Sequence, residues 1–193
     1  MQSICVFCGA NSGTDPVYVQ ATEAAGQYLA RHGIRLVYGG GNVGLMGVLA
    51  DATLAQGGWV TGVIPHFLAQ WEVAHRNLTE LIFTETMHER KARMAELSEG
   101  FVALPGGFGT LDELFEILTW AQLGIHQKPI GLLNVGGYFD PLLTMVDAMV
   151  ERGFLKPANR ALLHVGTDLG ALLEMMNTPR PAFTTKWVDS EKI

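Results

Sequence analysis

The sequence has few cysteines, little positive charge and no long apolar run. Its 193 residues contain two cysteines, and 13 lysines and arginines against 19 aspartates and glutamates give a net charge of −6. This balance argues against a general nucleic-acid or membrane-surface binder, because both need a basic field. No apolar run reaches membrane-spanning length, and the N-terminus lacks the layout of a signal peptide. We therefore expect a cytoplasmic protein without a nucleic-acid or membrane partner.

Several ligand-binding signatures are also missing. Cys5 and Cys8 form C-x-x-C inside a predicted strand, where residues three apart lie on opposite faces, so we expect buried reduced thiols. His88-Glu89 begins like the zinc pattern H-E-x-x-H, but Ala92 occupies its last position. No G-K-[ST] occurs, which excludes a P-loop. The sequence predicts no metal and no cofactor.

Strand and helix signals alternate along the chain. This alternation predicts an α/β fold with a mostly parallel sheet of about seven strands and helices on both faces. We expect one domain over residues 1–178 and an extended tail over 179–193. The predicted strands are 2–8, 34–38, 59–64, 80–84, 100–104, 129–134 and 161–165, and the predicted helices are about 16–32, 44–56, 86–98, 110–123, 141–152 and 168–176.

Three glycine-bearing loops follow predicted strands at the carboxyl edge, where parallel sheets bind ligands. They span Gly9–Gly13, Gly39–Gly47 and Gly106–Gly109, while Gly136-Gly137 is expected to be a turn. The second loop contains G-x-G-x-x-G, but the following strand lacks the acid that a dinucleotide site needs about 20 residues later. The sequence therefore favours a phosphate surrounded by backbone N–H groups over an NAD site.

The stretch from Phe101 to Gln122 joins an apolar strand, a glycine-rich turn and an amphipathic helix predicted to begin at Thr110. Such a helix start binds anions through its unpaired N–H groups. Glu113 lies beside it and has two interpretations. It is either the last residue of a T-x-x-E capping box, which is a structural role, or a catalytic carboxylate at the anion site.

The predicted helix over residues 86–98 carries two cations on one face. Arg90 and Lys91 flank the row that contains Met87 and Met94, whereas Arg93 lies on the opposite face among acidic residues. The two cations are either ordinary surface charges with apolar stems or part of the site. We favour the second interpretation, because both cations share the face that carries the methionines, while the opposite face has its own balanced charges. Such cations would neutralise a phosphate and keep Glu113 ionised nearby.

Together these motifs resemble the Lonely Guy family. The matching stretches are PGGFGTLDE at Pro105–Glu113, MHERK at Met87–Lys91, GGGNVGLMG at Gly39–Gly47 and the N-terminal CVFCGANSG. Members are cytokinin riboside 5′-monophosphate phosphoribohydrolases, often labelled lysine decarboxylase-like. The resemblance implies a Rossmann-like three-layer fold, usually a homodimer. It also implies hydrolysis of the N-glycosidic bond of adenine-type nucleoside 5′-monophosphates to free base and ribose 5-phosphate.

The resemblance assigns catalytic roles to Arg90 and Glu113. Glu72 lies in FLAQWEVAHRNL, a segment that departs from the plant-like pattern and leaves the N6 substituent of the base open. The expected substrate-binding residues are Ser12, Gly40, Gly41, Glu72, Met87, Lys91, Gly107, Phe108, Gly109 and Thr110.

Two alternatives to hydrolysis fit the sequence less well. A decarboxylase dependent on pyridoxal phosphate needs a Schiff-base lysine with a partner for the ring nitrogen, and none of the five lysines has that setting, although Lys91 is expected in the pocket. A nucleotide-binding sensor module needs the glycine loops but not Glu113 together with Arg90. The joint presence of both residues favours the enzyme.

Overall fold

The computed structural model describes residues 1–71 and 74–178 of the chain. Within them seven parallel strands form one sheet, in the order β4-β3-β2-β1-β5-β6-β7. The predicted α/β architecture and its seven strands are confirmed. The strands are β1 (Ser3–Phe7), β2 (Arg35–Tyr38), β3 (Val60–Pro65), β4 (Glu80–Thr84), β5 (Phe101–Ala103), β6 (Ile130–Leu133) and β7 (Leu163–Gly166).

Helices connect the strands, since neighbouring parallel strands need a crossover connection. Two of them, α3 and α7, were not predicted, because elements of six and four residues are too short to show helical periodicity. The helices are α1 (Pro16–Arg31), α2 (Gly44–Ala55), α3 (His66–Trp71), α4 (Met87–Glu96), α5 (Phe108–Gln122), α6 (Asp140–Glu151), α7 (Pro157–Arg160) and α8 (Leu169–Met176).

The central strand β1 separates two apolar layers. Ile4 and Val6 point into the layer formed with α1, α2 and α8, whereas Cys5 and Phe7 point into the layer formed with α4 and α5. Cys8, immediately after the strand, belongs to the first layer, opposite Cys5. Both cysteines are buried and free, as predicted. The sheet is therefore covered on both faces, which gives the three layers.

The start of α5 differs from the prediction. The helix begins at Phe108 with Gly107 at the N-cap, and no side chain caps it. Thr110 lies inside the first turn, so the capping-box interpretation of Thr110 and Glu113 is wrong. A capping arrangement forms instead at α4, where the Thr86 hydroxyl accepts a hydrogen bond from the Glu89 N–H at 3.1 Å.

The strand order reverses between β1 and β5. The chain builds β1 to β4 outward on one side of β1 and then returns to place β5 on its other side. Leu104 N–H donates to the carbonyl of Phe7 and Gly9 N–H donates to that of Pro105, which joins the two loops beyond these strands. Ligands of open α/β sheets bind at such a reversal.

Two predictions lie outside the described residues, namely the extended tail over 179–193 and the position of Glu72. No helix in the described ranges is both long and apolar enough to cross a membrane.

Glycine at the start of α2 is required by the close approach of another loop. Gly44 has φ of +57°, and an added Cβ would collide with the backbone of Ala10. Gly33 has a similar φ of +64°, but its Cβ would meet nothing within 4 Å. We expect Gly33→Ala to lower the free energy of unfolding by roughly 1–2 kcal/mol, the cost of a left-handed backbone. Gly44→Ala should cost roughly 1–3 kcal/mol more because of the collision.

Urea unfolding of the two variants measures both costs, and Gly33→Ala serves as the matched control for backbone strain. Equal losses would show that the loop containing Ala10 moves aside without cost.

Candidate active site

The carboxyl ends of β1 and β5 border a cavity of about 570 Å³. It lies at the reversal of strand order, so the loops after both strands contribute to it. Helices α1 to α5 and the connection between β6 and α6 supply the remaining wall. The lining residues are Cys8–Gly13, Tyr18, Leu45, Met46, Leu68, Met87, Arg90, Pro105–Thr110, Glu113 and Tyr138.

Arg90 of α4 is held at the cavity by backbone carbonyls. Its Nε donates to the carbonyl of Val63 at 3.1 Å, and its Nη2 donates to that of Gly39 at 3.2 Å. An added Cβ at Gly39 would collide with Nη2, so this arrangement requires glycine there. The remaining terminal nitrogen, Nη1, lies 3.5 Å from Oε1 of Glu113. The guanidinium is therefore fixed before any ligand binds.

Glu113 of α5 is a buried carboxyl, with 11% of its side chain exposed. Burial raises its pKa from the ordinary 4.5 to about 7, against the opposing effect of Arg90. The 3.5 Å separation is longer than the 2.7–2.9 Å of a strong charge-assisted hydrogen bond, so the arginine offsets only part of the desolvation. A carboxyl with such a pKa can both lose and accept a proton near neutral pH.

The thiol at the cavity wall is not a nucleophile. Burial raises the pKa of Cys8, and the charge of Glu113 raises it further. The same two causes raise the pKa of Cys5 in the layer behind it. Both side chains stay protonated, and reaction at sulfur requires the thiolate.

The N-terminus of α5 forms the opposite part of the wall. Gly107 at the N-cap offers no side-chain acceptor, so the first N–H groups of the helix are left for a ligand. An added Cβ at Gly106 would collide with the Thr110 hydroxyl oxygen and lie 2.8 Å from Gly9 N, so the loop packs too tightly for any side chain there. Unpaired N–H groups and the helix dipole make this a site for an anion.

The structure brings together most of the predicted site residues. Gly40 and Gly41 are exceptions: both are buried and do not line the cavity. The carbonyl of Gly40 accepts from His75 N–H, and that of Gly41 accepts from the Tyr38 hydroxyl. They support the turn that presents Gly39 to Arg90. The predicted residues at the cavity are Arg90, Glu113, Ser12, Met87, Gly107, Phe108, Gly109 and Thr110.

Lys91 also lies away from the cavity lining. Its Nζ is 3.1 Å from Oδ2 of Asp112 and 3.0 Å from Oε2 of Glu116, and its side chain is 10% exposed. These ion pairs tie α4 to α5. Of the two cations expected in the pocket, only Arg90 lines it, whereas Lys91 neutralises acids on the helix that carries Glu113.

Two aromatic residues of the cavity were missed by sequence reasoning. Tyr18 of α1 and Tyr138, before α6, pack edge to face with ring centroids 5.7 Å apart. Tyr138 follows Gly136-Gly137, which forms the expected turn at the end of β6. The sequence places Tyr138 shortly after a predicted strand, at the carboxyl edge of the sheet, and this position could have identified it as a cavity residue. Within the described ranges, no group of three or more His, Cys, Asp or Glu side chains could hold a metal ion.

A family model and several relatives of known name match most of this chain. The family model described as "Possible lysine decarboxylase" matches residues 46–176. A cytokinin riboside 5′-monophosphate phosphoribohydrolase of Rhodococcoides fascians is 49% identical over 179 residues, which cover 92% of this chain and 90% of that protein. An Arabidopsis thaliana protein of the same name is 46% identical over 180 residues, covering 93% of this chain and 83% of its own length.

Solved structures share the fold at lower identity. The molybdenum cofactor carrier protein of Chlamydomonas reinhardtii superposes with a TM-score of 0.66 at 24% identity, covering 90% of this chain and 94% of that one. A molybdenum cofactor binding protein of Rippkaea orientalis superposes with a TM-score of 0.67 at 19% identity, covering 91% of this chain and 95% of that one. They establish the Rossmann-like architecture alone. The curated relatives and the family model together show that the chain belongs to the Lonely Guy family of cytokinin riboside 5′-monophosphate phosphoribohydrolases.

Proposed function

We propose that the protein hydrolyses the N-glycosidic bond of adenine-type nucleoside 5′-monophosphates, giving free base and ribose 5-phosphate. The observation that carries this proposal is the buried pair of Arg90 and Glu113, in the same cavity as the uncapped N-terminus of α5. The named activity of the relatives supports it. Both AMP and cytokinin riboside 5′-monophosphates fall in this class.

The 5′-phosphate binds at the start of α5 in this proposal. Gly107, Phe108 and Gly109 are exposed at the cavity and present the free N–H groups of the helix start. Glu113 lies about one helical turn further along the same helix, which is about 5.4 Å. A ribose bridges a spacing of this scale, so a phosphate held at the helix start places C1′ beside the carboxylate.

Glu113 acts on the sugar carbon. Breaking the C1′–N bond moves its electron pair onto the base and leaves positive charge on the ribose, as in glycoside hydrolysis. A fixed carboxylate stabilises this charge and accepts a proton from the water that attacks C1′. The hydroxyl of that water ends on C1′, the carboxyl of Glu113 then gives up the proton it accepted, and one proton ends on the departing base and neutralises its negative charge. Arg90 keeps the carboxylate oriented.

The apolar part of the cavity accommodates the base. Leu45, Met46, Leu68 and Met87 line it, and such side chains suit a purine with an apolar N6 substituent. Within the described residues, no lysine lines the cavity, whereas pyridoxal phosphate chemistry needs a lysine there to form a Schiff base. The geometry supports hydrolysis rather than the decarboxylation named in the family description.

The homodimer and the cytoplasmic location belong to the same proposal. Phe108, Leu111, Phe115 and Trp120 line a groove on α5 beside the cavity, and Phe108 is 94% exposed. The exposed aromatic rings of Phe108 and Phe115 in this groove favour burial against a second chain. Two free cysteines suit a reducing compartment. A 21.0 kDa mass in sedimentation equilibrium would contradict the dimer.

The first prediction concerns the carboxylate. Glu113→Gln keeps the side-chain shape but removes the charge that stabilises the transition state, so kcat for base release should fall at least about a hundredfold. Release of free base from AMP and isopentenyl-AMP, followed by chromatography, measures this. Parent-like turnover by the variant would remove Glu113 from the mechanism, and no turnover of either substrate by the parent would contradict the function.

The second prediction separates the two arginines of α4. Arg90→Ala should abolish turnover because it frees Glu113 and leaves a buried carboxyl without its partner. Arg93 is the matched control, since its side chain is 46% exposed and pairs with Glu96 at 3.0 Å. Arg93→Ala should retain parent kcat/KM. A larger loss with Arg93→Ala than with Arg90→Ala would contradict the assignment.

The third prediction is that the monophosphate is required. Adenosine lacks the group that anchors C1′ near Glu113, so it should lose kcat as well as affinity. ATP must fit two further phosphates against a helix start without a P-loop lysine. Adenine release from adenosine, AMP and ATP gives the comparison. Similar kcat/KM for adenosine and AMP would show that the α5 N-terminus does not hold the phosphate.

The fourth prediction uses the raised pKa of Glu113. The folded protein keeps this proton up to about pH 7, whereas the unfolded chain loses it near 4.5. The folded state therefore binds more protons between these values, and stability falls as pH rises through this window. Relative to Glu113→Gln, the parent should lose on the order of 3 kcal/mol from pH ~4 to pH ~8.

Denaturant unfolding of the two proteins across this range measures the difference. Glu151→Gln, at an exposed position in the last turn of α6, is the control and should follow the parent curve. A parent curve parallel to that of Glu113→Gln would mean that Glu113 titrates alike in both states.

A further inference from the structure

Tyr138 connects two separate parts of the cavity wall. Its hydroxyl donates a 2.6 Å hydrogen bond to the carbonyl of Gly106, 32 positions earlier in the chain. Tyr138 belongs to the connection between β6 and α6, whereas Gly106 belongs to the loop between β5 and α5. The bond is at the short end of the range for O–H···O contacts. It therefore ties the aromatic wall to the glycine loop.

The bond controls the direction of one N–H group. The carbonyl of Gly106 and the N–H of Gly107 belong to a single planar peptide and point in opposite directions. Fixing the carbonyl fixes the N–H of the α5 N-cap as well. Glycine on both sides of this peptide leaves it without the torsional restraint that a side chain supplies, and no side chain fits at Gly106 to add one. The restraint has to come from outside the loop.

Tyr138 is itself held in place. Its ring packs edge to face on Tyr18, at 5.7 Å and 78°, and on Phe139, at 4.9 Å and 82°. Phe139 N–H donates to Oδ1 of Asn134 at 2.8 Å, and Nδ2 of Asn134 donates to Oδ1 of Asp140 at 2.7 Å. These contacts hold the ring of Tyr138 in place and so fix the position of its hydroxyl.

We propose that Tyr138 is a positioning residue for the phosphate: its hydroxyl keeps the Gly106 carbonyl turned toward the phenol and so keeps the Gly107 N–H available at the α5 N-terminus. Without the hydroxyl the peptide can turn over, and a carbonyl oxygen then faces the anion in place of an N–H donor. This inference rests on the proposed function, because the phosphate is the group that the loop binds.

The test compares the parent with Tyr138→Phe, which keeps both ring contacts and removes only the hydroxyl. Isothermal titration with ribose 5-phosphate and with inorganic phosphate should show roughly three- to tenfold weaker binding by the variant, the size of one hydrogen bond. KM for AMP should rise by a similar factor, with a smaller change in kcat. Inhibition by adenine, which lacks a phosphate, should be unchanged.

Tyr28→Phe is the control, since it removes a hydroxyl from α1 beside Gly170, outside the cavity lining, and should match the parent. Equal affinity of parent and Tyr138→Phe for ribose 5-phosphate overturns the inference and leaves the proposed function standing. A parent that binds neither phosphate compound overturns both. A parallel loss of adenine inhibition, or a melting temperature well below the parent's, also overturns it, because the tyrosine would then support the cavity in general.

Discussion

Keeping a carboxylate at the buried end of a parallel sheet costs solvation free energy, and one arginine offsets part of it. Arg90 can do so only because two carbonyls, those of Val63 and Gly39, hold its other nitrogens. Those carbonyls come from β3 and from the end of β2, so the electrostatics of Glu113 depend on the register of the sheet. The site is thus a property of the assembled fold rather than of one loop. A substitution that shifts β2 or β3 also shifts the carbonyls that hold Arg90.

The two functional halves of the site are built from different kinds of group. The proposed anion site uses backbone N–H groups, which need glycine around them, and the Tyr138 hydroxyl holds one of their peptides in place. The reacting end consists of two charged side chains, which need burial to be effective. Placing both on α5 and the adjoining α4 fixes their separation. Lys91 contributes by joining these two helices through Asp112 and Glu116.

The sequence predicted the fold well because alternation and glycine loops are local signals. It failed where two interpretations share one pattern. T-x-x-E describes a capping box, yet α5 begins two residues earlier at Phe108, and glycine at an N-cap leaves no side-chain signature. Helical periodicity placed Arg90 and Lys91 together, but the acids that draw Lys91 away lie on another helix. Tyr138 was missed because its hydrogen bond to Gly106 joins two different strand–helix connections, 32 positions apart in the chain, and no local sequence pattern signals such a contact.

The position of β1 has a consequence for how the chain folds. This central strand pairs with β2, close in sequence, and with β5, where Cys5 lies opposite Phe101. Half of its pairing must wait until a distant segment arrives, and contacts of large sequence separation slow folding. During that delay one apolar edge of β1 stays open to other chains. The same late pairing assembles the cavity, so the cavity does not exist until β5 has joined β1.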